Sequence, residues 1–398
     1  MSVVRLKKNV ESRINNRLPW IYSNEIDTAL TPLKSFLPGQ EVVVELAAGR
    51  TLGKAYINPH SLIALRVFSA DPKATLNSNF FVERLLKAES YRTQFFSKPF
   101  YRLIYGEADG LPGLIIDRFG QHFVCQLNTA GMNQCAQVIG QALTQAFPDL
   151  QSVLCRNDTS ARVLEGLSKT IEPLVGEPPQ QVLVEENEVQ FHAPIWEGQK
   201  TGWFYDHRNN RARLKSYVEG KRVLDVFSYL GAFGIQAAAN GAKQVLCIDS
   251  SAKAVAAIKQ NAELNHLKNV ATVNEDAFTA LKTLQQEHQT FDVIILDPPA
   301  FVKKQKDKEA GLIAYQRINA LAFKLLNDDG ILLSCSCSRP ITESDFAEMV
   351  KRAALQAKVK ACILEAGHQA QDHPILVNLT EMNYLKALFI RKLKDGIV

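Results

Sequence analysis

Apolar residues along this chain recur in two rhythms, and the change from one to the other divides it. Up to about residue 190, short apolar runs stand between glycine, proline and polar turns: residues 41–46, 52–57 and 63–68, then 101–105, 114–117 and 122–127. Such runs predict short, mostly antiparallel strands. The first three, after the Pro38-Gly39 turn, make a small barrel or open sheet over residues 1–75. Two helices interrupt the strands. One covers residues 79–96, with Phe80, Phe81, Leu85 and Leu86 at helical spacing and Ser78 as its cap, and the other covers residues 132–146. Strands near 152–156 and 182–184 complete an α+β unit over residues 76–190, whose function is not legible. Asp109, Asp117 and Arg118 there read as a polar surface or as turn and rim residues.

From residue 191 onward strands and helices alternate. A strand at 189–195 leads in, and residues 223–226 form a run suited to a strand buried on both faces. Gly231 and Gly234 bracket the start of a helix to about residue 240, which Gly241 stops. Strand 244–248 ends in Asp249, helix 252–265 follows, and strand 271–273 runs into Asp276. Strand 291–296 terminates in Asp297-Pro298-Pro299, where the prolines turn the backbone out of the sheet. Helix 311–326, strand 331–336, a helix from Thr342 or Ser344 to about 356, and strands at 359–364 and 384–391 close the chain. The last two strands have no helix between them. The fold class is therefore α/β, a Rossmann-like sheet with a terminal antiparallel hairpin of the kind that separates methyltransferase sheets from dinucleotide-binding ones.

Composition adds bounds. The 398 residues suffice for two or three domains, and 46% hydrophobic with 22% charged is ordinary for a soluble protein. A net charge of +5 permits an anionic partner without requiring one. Seven cysteines without paired spacing, no signal peptide and no membrane-length apolar run place the chain in a reducing cytoplasm, with no membrane partner. The oligomeric state stays open, a homodimer included. No Cys or His pairs have zinc-like spacing, so no metal is expected. Arg5, Lys7, Lys8, Arg13 and Arg17 precede Pro19-Trp20. That mixture suits a phosphate backbone with a stacked base, and equally a solvated basic terminus with Trp20 in the core.

The chemistry concentrates between residues 221 and 250. The turn after the first strand of that unit, DVFSYLGAFG, lacks the dinucleotide G-x-G-x-x-G spacing, and Asp225 would repel a pyrophosphate. A carboxylate there instead suits the sulfonium and ammonium of S-adenosylmethionine. Asp249 is placed for ribose hydroxyls and Asp276 for an adenine amino group. The segment GQKTGWFYDHRNNR, with Tyr205, Asp206 and Arg208, reads as the rim of the cofactor pocket. The competing reading makes Asp206 a helix cap and leaves Arg208 and Arg211 solvated. At the end of the next-to-central strands, Asp297 would face a base edge, and a cysteine thiolate would attack C6 of a pyrimidine and activate C5. Cys337 is the expected nucleophile, because Cys335 still lies within the strand, and Cys335 is the alternative. None of the eight histidines, His207 among them, forms a recognisable triad.

The motifs DVFSYLGAFG, LDPPAF and SCS (Ser336 to Ser338), with KTGWFYDHRNNR, GLPGLIIDR and the Pro19-Trp20 neighbourhood, resemble the bacterial large-subunit 23S rRNA cytosine-C5 methyltransferases that carry an N-terminal PUA domain. The resemblance runs along essentially the whole chain. It implies a β-rich PUA domain over 1–75, a central α+β domain of EEHEE type over 76–190, and a class I methyltransferase domain over 191–398. Its implied cofactor is S-adenosyl-L-methionine and its implied partner 23S rRNA, naked or in a large-subunit particle. By position, Asp225, Phe227, Gly231 and Phe233 would line the methionine side, Asp249 and Ser250 the ribose, Asp276 and Ala277 the adenine, and Asp297 and Pro298 the catalytic side. Two features depart from the family. Pro299 and Ala300 stand where many RNA cytosine-C5 enzymes carry a second, product-releasing cysteine, and Arg17-Leu18 stand where relatives often have glycine and histidine. The alternatives are N-methylation of an RNA base, which needs no thiol, and a non-catalytic RNA-binding or ribosome assembly factor.

Overall fold

The structure, a computed structural model, describes residues 2–10 and 19–394, so Arg13, Arg17 and Leu18 of the expected basic segment lie outside the described residues. The chain divides into two compact units. The first comprises Met1–Val182, Ala193–Tyr205 and Gln371–Met382, and the second Leu183–His192, Asp206–Ala370 and Asn383–Val398.

The first unit opens with β1 (Val3–Arg5), β2 (Trp20–Tyr22), β3 (Gln40–Glu45), β4 (Thr51–Ile57) and β5 (Ile63–Ser69), joined in the order β1-β3-β4-β5-β2. Val4, Ile21, Val42, Val44, Ala55, Ile57 and Leu65 bury one face, as the alternation of β3 to β5 requires. At three residues each, β1 and β2 are too short to show that alternation. Two of the flanking cations have protein partners at the surface. Arg5 Nη2 meets Glu45 Oε2 at 2.9 Å, and Lys7 Nζ donates to the Asn24 carbonyl. The Trp20 indole N–H donates to Glu107 at 2.7 Å, with the Arg66 guanidinium over its ring. Trp20 is half-buried, and the Arg5 side chain keeps 41% of its surface exposed.

Next comes α1 (Ser78–Arg92), capped by Asn77, whose side chain accepts from the Phe80 N–H, so the expected cap Ser78 is the first helical residue. Its buried stripe is Phe81, Leu85, Ala88 and Arg92, and Leu86 faces solvent. A second sheet, ordered β10-β9-β8-β7-β6, follows with β6 (Phe100–Tyr105), β7 (Leu114–Phe119), β8 (His122–Leu127), α2 (Ala130–Gln134), α3 (Ala136–Ala146), β9 (Ser152–Asn157), α4 (Ser160–Leu164) and β10 (Thr170–Val175). The one helix expected over 132–146 is thus two, and α4 and β10 were not foreseen. Asp117 is no surface residue. It is fully buried, takes both branches of the Arg102 guanidinium at 2.8 Å and accepts from the Thr201 hydroxyl, while Asp109 takes Arg92 in the same way.

The second unit takes in most of the hairpin β11 (Gln181–Glu186) and β12 (Val189–Pro194), and then α5 (Arg208–Arg213) and α6 (Lys215–Val218). The second unit continues as β13 (Arg222–Val226), α7 (Ala232–Ala239), β14 (Gln244–Asp249), α8 (Ala252–Leu264), β15 (Val270–Asn274), α9 (Ala277–Gln286), β16 (Phe291–Leu296), α10 (Lys308–Leu325), β17 (Leu326–Ser336), α11 (Glu343–Ala357), β18 (Ala361–Gly367) and β19 (Lys386–Lys392). Its seven strands lie in the order β15-β14-β13-β16-β17-β19-β18, parallel except for β19, which slots antiparallel between β17 and β18. β13 and β16 are adjacent, and the chain winds away from them in opposite directions, so their carboxyl ends open a crevice. Leu224, Val226, Ile294, Leu296, Phe323 and Leu332 pack beneath it, which explains the unbroken apolar runs of these strands. Among the described residues no helix is long and apolar enough to cross a membrane.

Candidate active site

The glycine turn between β13 and α7 is bent more sharply than its sequence suggests. Phe227 (φ +65), Tyr229 (φ +51) and Gly231 (φ +79) are all left-handed, and two of them carry side chains that disfavour this conformation. Backbone strain of this kind collects where a ligand must be met closely. Helix α7 then packs so tightly on β13 and β14 that a Cβ at Gly234 would fall 2.5 Å from Cys247 Sγ and 3.0 Å from Asp225 Oδ2. Glycine is needed at that position for closeness and at Gly231 for its φ.

Asp225 closes β13 almost fully buried, and its Oδ2 accepts the Gly234 N–H at 2.9 Å. Burial pushes its carboxyl up to about 7, with Asp297 and Asp249 adding repulsion. An acid whose ionisation is disfavoured and that, among the described residues, is not paired with a cation suits a ligand that brings one. At the end of β14, Asp249 Oδ2 accepts the Tyr229 N–H and Oδ1 the Ser251 N–H, each at 2.9 Å, with Ser250 exposed beside it. Asp276 caps α9 through Oδ1, which accepts from Thr279, and Ala277 begins the helix buried. These acids follow β13, β14 and β15 in turn, so the left-handed turn, the buried carboxylate and the rim acids fit S-adenosylmethionine.

On the other side of the crevice Asp297 ends β16, its N–H reaching the Val226 carbonyl of β13, with Pro298 buried behind it. His207 Nε2 lies 3.2 Å from Asp297 Oδ1, while His207 Nδ1 meets Asn210 Nδ2 at 3.2 Å. The His207 ring stands edge-on to Phe233, which is buried under His207 and Arg211. His207, Asp297 and Cys335 bring donor atoms within 4.8 Å of one another. Burial holds the Cys335 thiol well above its ordinary range, which keeps it a neutral thiol.

Cys335 is fully buried in β17, and Cys337 lies half-buried just past the strand end. Around Cys337 the Tyr315 hydroxyl bonds Ser336 Oγ and Ser338 Oγ, each at 3.0 Å, and Ser338 Oγ accepts the Val302 N–H from the loop after Asp297. Lys386, at the start of β19, donates from Nζ to the carbonyls of Ser338 (2.7 Å) and Tyr384 (2.8 Å).

The three residues expected at the cofactor rim have the following partners. Tyr205 belongs to the first unit, where its hydroxyl donates to the Arg118 carbonyl and its ring packs on Phe119. Arg208 is buried with Nε 3.5 Å from Glu186, whose carboxylate also takes Arg211 from two sides; neither arginine is solvated. Asp206 does not cap α5, whose N-cap is His207; its carboxylate accepts the Tyr384 hydroxyl at 2.5 Å. His207, Lys386, Tyr384 and Tyr315 join the site without having been singled out. The one sequence signal for Lys386 was a lysine inside the apolar run LKALFI.

The seven-stranded order with its inserted antiparallel strand, and the turn and acids along its carboxyl edge, define an S-adenosylmethionine-dependent methyltransferase of the Rossmann-like class. A solved chain from Streptococcus mutans assigned as such an enzyme superposes with a TM-score of 0.82 at 25% identity, covering 98% of this chain and 100% of that one. A methyltransferase structure complexed with SAH gives a TM-score of 0.83 at 24% identity. Family profiles match a PUA-like domain over residues 4–70 and Conserved hypothetical protein 95 over residues 211–355. Ribosomal RNA large subunit methyltransferase I of Cronobacter sakazakii is 37% identical over 387 residues, spanning 96% of this chain and 97% of its own. The same enzyme of Escherichia coli is 36% identical, spanning 97% and 98%, and that of Tolumonas auensis 37%, spanning 98% and 99%. The chain belongs to the ribosomal RNA large subunit methyltransferase I family.

Proposed function

We propose that this protein methylates C5 of a cytosine in 23S rRNA through a transient bond between Cys337 and the base, with the PUA-like and central α+β segments supplying RNA affinity and position. The carrying observation is the contrast between the two cysteines: Cys337 stands half-exposed past the end of β17, and Cys335 is sealed in the strand with its thiol held protonated. Bound S-adenosylmethionine supplies an electrophilic methyl group on its sulfonium. Asp225, Phe227, Gly231 and Phe233 would hold its methionine part, Asp249 and Ser250 its ribose, and Asp276 and Ala277 its adenine.

The Cys337 thiolate bonds to C6, and the electron pair released onto the ring makes C5 nucleophilic. Asp297 hydrogen-bonds the base edge and steadies the adduct. After C5 has gained the methyl group, its proton leaves to a base, the C6–S pair returns to sulfur, and the double bond reforms. An RNA carrying 5-fluorocytosine at the target has no such proton, so wild-type protein should accumulate as a covalent RNA complex visible as a shifted band. Cys337→Ser should form no complex and lose methylation while keeping S-adenosylmethionine affinity within a few fold. Full methylation by Cys337→Ser would exclude Cys337 as the nucleophile and, if the 5-fluorocytosine complex is also absent from that variant, leave the N-methylating alternative.

A further inference from the structure

A buried ammonium with no carboxylate partner is costly unless another anion compensates it. Lys386 is such a group: it is 5% exposed, and among the described residues it makes no ion pair. Two of its donors are fixed on the carbonyls of Ser338 and Tyr384, and its own strand position pairs with Ser336 of β17. Cys337 lies between Ser336 and Ser338. The lysine is therefore tied to both neighbours of that cysteine, one through the sheet register and one through its side chain.

The charges facing it from each packed element are few. The groups near enough to favour the charged ammonium are Cys337 and, from α11, Glu343 and Asp345. Both acids are already engaged, Glu343 by the Asn383 amide and Asp345 by Lys308 at 2.7 Å. From α10 comes the neutral Tyr315 hydroxyl, raised by burial, and from β17 the protonated Cys335 thiol. Burial lowers the Lys386 amine to about 8, which leaves it charged at neutral pH.

We propose that Lys386 is a positioning residue for Cys337: its ammonium pins the segment past β17 through the Ser338 carbonyl and supplies the positive charge that favours the Cys337 thiolate. The inference rests on Cys337 as the nucleophile, and it assigns to the terminal strand a part in activating it. A cation beside a cysteine lowers the thiol below its ordinary value of about 8.5. Lysine is suited to the place because a compact ammonium can satisfy two carbonyls and still face a third group.

The test needs no RNA. Alkylation of Cys337 by iodoacetamide is followed peptide by peptide by mass spectrometry from pH 5.5 to 9.5, with half-buried Cys362 of β18 as internal control. Wild-type Cys337 should show a midpoint below about 8.5. Lys386→Met should raise it by about one unit, slowing alkylation at pH 7 about tenfold, with Cys362 and S-adenosylmethionine affinity unchanged. Lys386→Arg should restore most of the shift, as loss of packing alone would not. Should the methionine disturb the fold, seen by circular dichroism, Lys386→Gln repeats the comparison. A wild-type midpoint at or above 8.5, or one that folded Lys386→Met or Lys386→Gln leaves in place, overturns the proposal. A Lys386-dependent midpoint alongside full methylation by Cys337→Ser would keep the electrostatic pairing and discard Cys337 as the nucleophile. The reverse pair of results would keep the mechanism and discard Lys386.

Discussion

His207 Nε2 and Asp297 Oδ1 stand 3.2 Å apart at the mouth of the crevice, one from the segment before the methyltransferase sheet and one from the end of β16. Asn210 Nδ2 meets the other ring nitrogen, which makes Nδ1 the acceptor and leaves the ring proton on Nε2, toward the carboxylate. A neutral imidazole therefore suffices to orient Asp297. Removing this contact with His207→Leu should lower the single-turnover methylation rate about tenfold, the scale of a lost interaction with a charged group of about 1.5 kcal/mol. Asp297→Asn should cost more, because it alters the group that meets the base. In both variants calorimetry should find S-adenosylmethionine affinity within a few fold of wild type. A loss confined to cofactor affinity would assign the pair to the cofactor side instead.

The two cysteines of β17 should separate cleanly. Cys335 is buried beside Ala387 in the sheet register, with its thiol well above the ordinary range. Cys335→Ala removes only a buried sulfur, so it should cost about 1–2 kcal/mol of stability, seen as a lower Tm, while retaining much of the methylation rate and the 5-fluorocytosine adduct. An adduct lost in Cys335→Ala and kept in Cys337→Ser would move the nucleophile into the strand.

How much of this site was readable depended on how local each contact is. Asp225, Asp249 and Asp297 each lie within a residue of a strand's carboxyl end, and strand ends follow from the alternation of apolar runs and turns, so their arrival at one edge was legible. The insertion of β19 between β17 and β18 was legible only as a terminal hairpin, because order within a sheet is not written in the strands themselves. His207 was passed over because its partner lies ninety residues away in sequence. Lys386 interrupts the apolar run of its strand, and its partner, the Ser338 carbonyl, comes from just past another strand's end, which local sequence does not show. The Tyr205 hydroxyl bonds the Arg118 carbonyl, a contact across 87 residues of sequence that its neighbours do not announce.

Gly234 should tolerate no side chain. The Cβ of Gly234→Ala would press on Cys247 Sγ at 2.5 Å and on the Asp225 carboxylate, both buried and unable to withdraw into solvent. Overpacking of this kind costs about 1–3 kcal/mol. The variant should melt at lower temperature and bind S-adenosylmethionine more weakly, because α7 or Asp225 must shift. Cys247→Ala makes room for the new methyl group, so the double variant should recover part of the lost Tm but less of the affinity, since Asp225 remains crowded. Strict additivity of the two losses would contradict the assigned contact.

Asp225 ties cofactor binding to pH. Its carboxyl is pushed up to about 7 by burial first, with repulsion from Asp297 and Asp249, whereas in the unfolded chain it ionises near 4. Between those values the unfolded chain has released a proton that the folded protein still holds. Stability contributed by this group is therefore present below pH 4 and declines as pH rises toward 7, opposite in sign to a salt-bridged acid. S-adenosylmethionine brings a sulfonium and an ammonium, which favour the ionised carboxylate. Binding at pH 6 should accordingly expel a proton, and affinity should rise with pH, by at most about tenfold per unit, until it levels near 7. Calorimetry at pH 6 in buffers of different ionisation enthalpy reads the released proton directly. Asp225→Asn should bind weakly and without that pH dependence. A wild-type affinity that is flat from pH 5.5 to 7.5, with no proton released, would mean that Asp225 stays neutral under the cofactor and serves only to hold the Gly234 N–H at the head of α7.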